Sequence, residues 1–265
     1  MRTKTDLPSP PGPDPAPGLV RRLARSVYGA YALGLLAVLM GLAAVLAFLL
    51  PKLAWRRHMT HALARFWLRA SGLRVRVTGL DSLPAGSCVL VANHASYLDG
   101  VVMKAVLPPR FGFVVKREAA STPVLGLLLR RIGAEFVDRH SATGRQRAAR
   151  RVMKRAAAGH SLVFFPEGTF DAQPGLKRFK IGAFVAATRS NAPVVPAVIH
   201  GARRALPGDT MVPRPGRILV ELLQPIGGHG ETPEALREES RQMILARLDE
   251  PDLAAAPGRA AEAVA

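Results

Sequence analysis

The stretch Val89-Leu-Val-Ala-Asn-His-Ala-Ser-Tyr-Leu-Asp-Gly100 decides how the rest of this sequence is read. Cys88 to Ala92 is a short apolar run with the length and β-branched content of a buried strand. It breaks into polar residues at Asn93, His94 and Ser96, and Asp99 follows His94 by five positions. A strand that delivers a histidine into a loop, with a carboxylate able to fold back on it, is how a general base is presented. Asp99 would fix the imidazole tautomer and stabilise the imidazolium, while the other ring nitrogen takes a proton from a hydroxyl. The same spacing also fits a capped strand end with His94 as a hydrogen-bonding loop residue, so the remainder of the chain has to choose.

Outward from this stretch, strand-like and helix-like segments alternate. Val75 and Val77 alternate with Arg74, Arg76 and Thr78 before the turn residues Gly79 and Pro84-Ala-Gly86. Residues 99–107 fit a short helix closed by Pro108-Pro109, 111–115 a strand, and 123–132 an almost wholly apolar helix. Residues 134–137 and 161–165 read as strands around a basic helix at 143–158. A helix at 179–190, strands at 193–200 and 217–223, and a closing helix at 231–248 complete the pattern. Such alternation predicts an α/β domain over residues 73–250, with a central, largely parallel sheet flanked by helices. Residues 251–265, rich in Ala and Pro, read as a loose tail.

The N-terminal part differs in kind. Residues 1–20 hold six prolines and read as disordered. Tyr28 to Leu50 are 23 residues without a charge, about 35 Å as a helix, enough to cross a bilayer core of about 30 Å. The apolar run ends in Leu49-Leu50-Pro51 rather than at a small-residue cleavage site, so it reads as a retained anchor. Both flanks are basic (Arg21, Arg22 and Arg25 before, Lys52, Arg56 and Arg57 after), which leaves a spanning helix and a one-leaflet hairpin both open. Trp55, Met59, Ala62, Leu63, Phe66 and Ala70 recur at helical spacing, with Arg57, His61, Arg65 and Arg69 on another face. That pattern predicts a helix lying in the membrane interface, making 21–72 a membrane-anchoring helical segment.

The net charge of +18, from 37 Lys plus Arg against 19 Asp plus Glu, favours an anionic partner such as lipid headgroups, an acidic carrier protein or a nucleotide-containing cofactor. Three Tyr and two Trp with no basic-aromatic interleaving argue against a stacking platform for nucleic acid, and none is expected as a partner. One cysteine, Cys88, excludes an internal disulfide and a cysteine-based metal cluster.

Phe164-Phe165-Pro-Glu-Gly-Thr-Phe170 repeats the logic of the first stretch, an apolar strand ending in a tight polar turn. Pro166 fixes one backbone angle, Gly168 lets the backbone approach a ligand, Glu167 offers a carboxylate and Thr169 a hydroxyl. Loops at the carboxyl ends of parallel strands are where ligands bind in such sheets. Lys116 and Arg139, each at a strand end, are point and fork donors suited to a phosphate, or else solvated charges.

Taken together, these residues resemble the glycerolipid (lysophospholipid) acyltransferase family, best known through 1-acylglycerol-3-phosphate acylation. Its Asn-His-x4-Asp block matches Asn93, His94 and Asp99, and its second block Lys116, Glu118, Pro123, Gly126, Gly133 and Arg139. Its Phe-Pro-Glu-Gly-Thr block matches Phe165 to Thr169, and its apolar run into Val-Pro matches Val194-Val195-Pro196. The order of four blocks over roughly Gly79 to Gly201 makes the resemblance specific. One departure stands out: Phe170 and Asp171 occupy the positions where members acting on lysophosphatidic acid commonly carry Arg-Ser.

The resemblance implies acyl transfer from acyl-CoA or acyl-carrier protein to the hydroxyl of a lysolipid, foremost 1-acylglycerol-3-phosphate, with neither metal nor other cofactor. It implies His94 and Asp99 as the catalytic pair, and Lys116, Arg139, Glu167, Gly168 and Thr169 as substrate-binding residues. Lys177, Arg178 and Lys180 are candidates to replace the missing arginine charge, unless the acceptor lacks a terminal phosphate, as a lyso-ornithine lipid does. Membrane lipids are the expected partners, at a bacterial inner membrane with the domain facing the cytoplasm. Two other classes stay in view: a metallohydrolase using His94, Asp99, Glu167 and Asp171, and a membrane-anchored polyanion binder drawing on the 13 cations and three acids of residues 101–160.

Overall fold

The computed structural model describes residues 18–137, 142–171, 173–227 and 230–255. Arg139, the proline-rich residues 1–17 and residues 256–265 of the expected tail lie outside the described residues. Seven strands among the described residues form one sheet: β1 (Arg74–Thr78), β2 (Val89–Ala92), β3 (Gly112–Lys116), β4 (Glu135–Val137), β5 (Leu162–Phe164), β6 (Val194–His200) and β7 (Arg217–Leu222). Their order is β1-β7-β6-β2-β5-β3-β4. Strands β6, β2, β5, β3 and β4 run parallel, β7 meets β6 antiparallel, and β1 lies parallel to β7. The largely parallel α/β sheet expected from the alternation is the one found.

Strand β2 sits at its centre and is buried at every residue. Leu90 and Ala92 enter one core with α2 (Leu53–Ala70) and α3 (Leu98–Val106). Val89 and Val91 enter the other with α5 (Ala142–Ala157), α6 (Gly182–Ser190) and α8 (Pro233–Leu245), α7 being the single turn Ala202–Ala205 after β6. A strand covered on both faces needs an apolar residue at every position, which is why this run shows no alternation in the sequence.

The crossovers place the candidate site. From β2 the chain passes through α3 towards β3, whereas from β5 it passes through α6 across β2 to β6. The loops after β2 and β5 therefore open side by side at the carboxyl ends of their strands, at a point where the strand order reverses. Val89 pairs with Leu162, and Leu162 with Gly112, so counting along each strand brings Asn93, Pro166 and Lys116 to one level.

The N-terminal helices form an antiparallel pair fastened to the domain. Helix α1 (Leu19–Leu49) accepts the Trp67 indole N–H at the Ala32 carbonyl, 2.9 Å, and the Arg131 guanidinium at the Ala47 carbonyl, 2.8 Å. The Tyr28 hydroxyl donates to the Ser71 carbonyl at 2.8 Å. These ties span the apolar stretch from Tyr28 to Ala47, about 30 Å of helix. So α1, the one described helix long and apolar enough to cross a membrane, lies along the domain instead of projecting from it. Val27, Tyr31, Val38, Val45 and Leu49 remain exposed along its outer side at helical spacing.

Helix α2 departs from the expected face assignment. Trp55 and Phe66 are exposed, as an interfacial helix requires, and so are Arg65 and Arg69. Arg57, expected in that basic stripe, is buried and donates to the Ile132 carbonyl at 3.1 Å and the Arg110 carbonyl at 2.9 Å. Those carbonyls belong to the end of α4 (Pro123–Arg131) and the approach to β3, where no helical or ladder donor is at hand. A charged donor satisfying a buried carbonyl contributes roughly 1.5–3 kcal/mol, enough to turn a cationic side chain inward.

Two further expectations are revised. The helix expected from Phe179 begins only at Gly182, because the Lys177 and Lys180 amides are engaged by Glu167 and by the Pro166 carbonyl. The tail beyond Glu250 is not loose at its start: the Leu176 amide donates to the Pro251 carbonyl at 2.9 Å, and the Leu253 amide to the Leu176 carbonyl at 3.1 Å.

Candidate active site

His94 leaves the end of β2 in a loop fixed from three sides. The Asn93 side chain locks to β6, donating to the Ile199 carbonyl at 3.1 Å and accepting from the Ile199 amide at 2.7 Å. The Ser96 hydroxyl donates to the Leu206 carbonyl at 2.8 Å and accepts the Leu98 amide at 3.1 Å, which opens α3. Asp99, in the first turn of α3 and fully buried, folds back as its spacing predicted. Its Oδ2 lies 2.8 Å from His94 Nδ1 and also accepts the Ala95 and Ser96 amides, at 2.7 and 2.9 Å. Three donors on one oxygen fix the carboxylate, which in turn keeps a proton on Nδ1 and leaves Nε2 as the basic nitrogen.

The aromatic surroundings were not legible in advance. The Phe165 ring stacks on the imidazole at 4.5 Å, and the Phe170 ring meets it edge-on at 4.7 Å with Tyr97 behind, 4.8 Å from Phe170. The imidazole thus has its Nδ1 taken by a buried carboxylate, one ring stacked on it and a second meeting it edge-on.

Glu167 lies at the end of the β5 strand segment, only 4% exposed. Its Oε1 accepts the His94 amide at 2.6 Å and its Oε2 the Lys177 amide at 2.9 Å. Both oxygens are thus turned onto the protein's own backbone, which differs from the expected contact with a bound substrate. Gly168, at φ +84°, makes the tight turn in which its amide donates to the Phe165 carbonyl at 3.0 Å, and Thr169 is exposed at the rim. Lys116, half-buried at the end of β3, lies two strands from β2, roughly 10 Å away laterally, at the level of Asn93. Arg139, the other expected phosphate donor, lies outside the described residues. Lys177, one candidate to replace the absent arginine, is paired with Asp171.

Among the described residues no three of His, Cys, Asp and Glu are grouped as a metal would need. Of the four proposed ligands, Glu167 is committed to amides and Asp171 to Lys177.

The site is thus a carboxylate-oriented histidine presented at a strand end of a largely parallel sheet. Comparison with known proteins places this site in a recognisable stretch. Residues 74–200, a little under half of the chain, match the model of the family described as Acyltransferase. It is 29% identical over 201 residues to the chloroplastic 1-acyl-sn-glycerol-3-phosphate acyltransferase LPAT1 of Arabidopsis thaliana, covering 74% of this chain and 56% of that one. It is 37% identical over 160 residues to the lysophospholipid acyltransferase LPCAT4 of Homo sapiens, covering 57% of this chain and 29% of that one. The chain thus spans little more than half the length of the plant relative and under a third of the human one. The crystal structure of the 1-acyl-sn-glycerophosphate (LPA) acyltransferase PlsC from Thermotoga maritima superposes with a TM-score of 0.71 over 86% of this chain and 95% of that one, at 20% identity, which establishes a shared fold.

Burial pushes the Glu167 carboxyl up to about 7, against the opposing pull of the Lys177 and His94 amides. The ionised form that best accepts both amides is therefore lost as pH falls through that value. The His94 and Lys177 amide resonances should move together between about pH 8 and about 6, and Glu167→Gln should abolish the movement. Resonances that stay fixed in the wild type would mean that the carboxylate remains ionised throughout.

Proposed function

We propose that this chain transfers a fatty acyl group from a thioester, acyl-CoA or acyl-carrier protein, to the free hydroxyl of a lysolipid, 1-acylglycerol-3-phosphate foremost. The observation that carries this reading is the 2.8 Å pairing of His94 Nδ1 with buried Asp99 inside the stretch that matches the Acyltransferase family model. His94 Nε2 takes the proton of the acceptor hydroxyl as its oxygen attacks the thioester carbonyl. Asp99 balances the imidazolium charge; collapse of the tetrahedral intermediate forms the ester and expels the thiolate, which takes the proton back from His94. The thioester arrives activated, so the reaction calls for no side-chain nucleophile, metal or organic cofactor. Lys116 and Arg139 hold the anionic part of the acceptor, and Gly168 and Thr169 line the rim at the reacting centre. Glu167 serves the site by fixing the His94 amide.

The exposed stripe of α1 seats the domain on a membrane, where acceptor and acyl chain both reside, with the domain on the cytoplasmic side of a bacterial inner membrane. Deleting residues 18–72 would remove Ala32, Trp67 and Leu68 from the core, so the test is made on the outer stripe. Val38→Asp combined with Val45→Asp is expected to shift the folded protein from the membrane pellet to the supernatant at high salt. Unchanged sedimentation would remove α1 from the anchoring surface.

His94→Ala is expected to lower turnover by on the order of 10² to 10⁴ in a folded protein. Near-normal transfer by that variant would overturn the general-base mechanism.

A second acceptor, a lysolipid without a terminal phosphate, is favoured by two observations: the Phe170 ring packs against His94 at the position where an arginine is expected for a phosphate acceptor, and Lys177 is already paired with Asp171. Phe170→Arg supplies a fork donor for phosphate oxygens, worth about tenfold in rate per 1.4 kcal/mol of transition-state binding. With the phosphate acceptor as natural substrate it should improve 1-acylglycerol-3-phosphate turnover. With a phosphate-free acceptor it should damage turnover of that lipid through the lost aromatic contact. Measuring both lipids on both proteins decides between them, and equal rates throughout would remove Phe170 from acceptor selection.

A further inference from the structure

Between Glu167 and Lys177 the chain makes a loop that carries Gly168, Pro174 and Gly175 and no helix or strand among its described residues. Such a segment has little internal means of holding its shape, yet the Lys177 amide must meet Glu167 Oε2 at 2.9 Å. The restraint comes from elsewhere. Arg241 of α8, 5% exposed, donates from Nε to the Lys177 carbonyl and from Nη2 to the Leu176 carbonyl, both at 3.2 Å. Its fork is itself held by both oxygens of Asp252, one of them 3.1 Å from Nη1. Beside it, Glu250 accepts the Gly175 amide at 2.7 Å and is gripped by the Arg203 guanidinium through two bonds of 3.0 Å. Arg203 also donates to the Asp171 carbonyl, at the far side of the loop. Gly175 has φ +140°, and a Cβ there would meet Leu253 Cγ at 2.3 Å, so Leu253 occupies the space the missing side chain leaves.

We propose that Glu250, Asp252 and Leu253, with Arg203 and Arg241, form a clamp that positions the loop bearing the Lys177 amide, and through Glu167 the backbone of His94. They are positioning residues: none touches the imidazole. The route runs from Asp252 to Arg241, to the Leu176 and Lys177 carbonyls, and through the Lys177 amide to Glu167 and the His94 amide. Bidentate guanidinium–carboxylate pairs suit the task because they fix orientation as well as distance. Such pairs hold the loop on both sides, at Asp171 and at residues 175–177.

The activity arm of the test rests on the transfer reading above, and the exchange arm on geometry alone. Asp252→Asn, Leu253→Ala, Arg241→Lys and Arg241→Ala are compared with wild type by amide hydrogen exchange and by steady-state kinetics on the full chain. Exchange over residues 168–178 should rise about tenfold or more, and that over residues 93–96 should rise with it, while β2, β5 and β6 keep their protection. Turnover per folded molecule should fall about tenfold, with acceptor KM within about twofold. Arg241→Lys should lie between wild type and Arg241→Ala, since an ammonium keeps the charge but lacks the planar fork that meets two carbonyls and both carboxylate oxygens. Unchanged exchange in both loops of a folded variant overturns the clamp, as does a uniform rise across the sheet with turnover per folded molecule intact. Should the wild type acylate no lysolipid, the functional reading fails, and the exchange comparison alone still decides the clamp.

Discussion

The site depends on one buried carboxylate. Glu167, shut away from water, accepts hydrogen bonds and donates none when ionised, and leaving its oxygens unpaired there would cost several kcal/mol. The donors are two backbone amides, from His94 after β2 and from Lys177 beyond the β5 turn. A side-chain cation would follow the carboxylate through a range of rotamers. Amides cannot, because moving either one moves its loop. Both loops must therefore adopt one joint conformation to satisfy a single acid, and the direction in which His94 leaves its strand follows from that.

Around this constraint the parallel sheet supplies rigid supports. Asn93 is locked to β6, Ser96 to the Leu206 carbonyl, and Asp99 sits in the first turn of α3, where the positive end of the helix favours its charge. The supports come from β6, from the connection between β6 and β7, and from α3. Their precision comes from the sheet, whose central strand is buried on both faces and has little room to shift. The imidazole stands among these supports with the Phe165 ring stacked on it and the Phe170 ring edge-on to it.

The basic excess of the chain divides between surface and scaffold. Arg57 and Arg131 satisfy carbonyls that join α2 and α1 to the domain, and Arg110 collects the carbonyls of Pro84, Ala85 and Gly86. Arg56 does the same for Leu50 and Pro51 between the two N-terminal helices. These guanidiniums act as caps where helices and loops end without donors of their own. Arg65 and Arg69, by contrast, stay exposed on α2. Net charge alone does not separate the two uses.

The sequence by itself determined the strands and helices, the largely parallel sheet, the His94–Asp99 partnership and the grouping of the Pro166–Thr169 turn with it. Those features are local: hydrophobic period fixes an element, and a five-residue spacing lets a carboxylate return to the histidine just before it. It also placed a long apolar helix near the start, but not which way that helix lies. Tertiary structure decided that α1 runs along the domain, that Arg57 turns inward, that Glu167 holds two amides, and that residues 250–253 pack on the site loop. All four are settled by backbone amides and carbonyls meeting across long separations in the chain. Every residue but proline carries the same amide, and every residue the same carbonyl, so sequence has no letter for which of them will be left without a partner until the chain is folded.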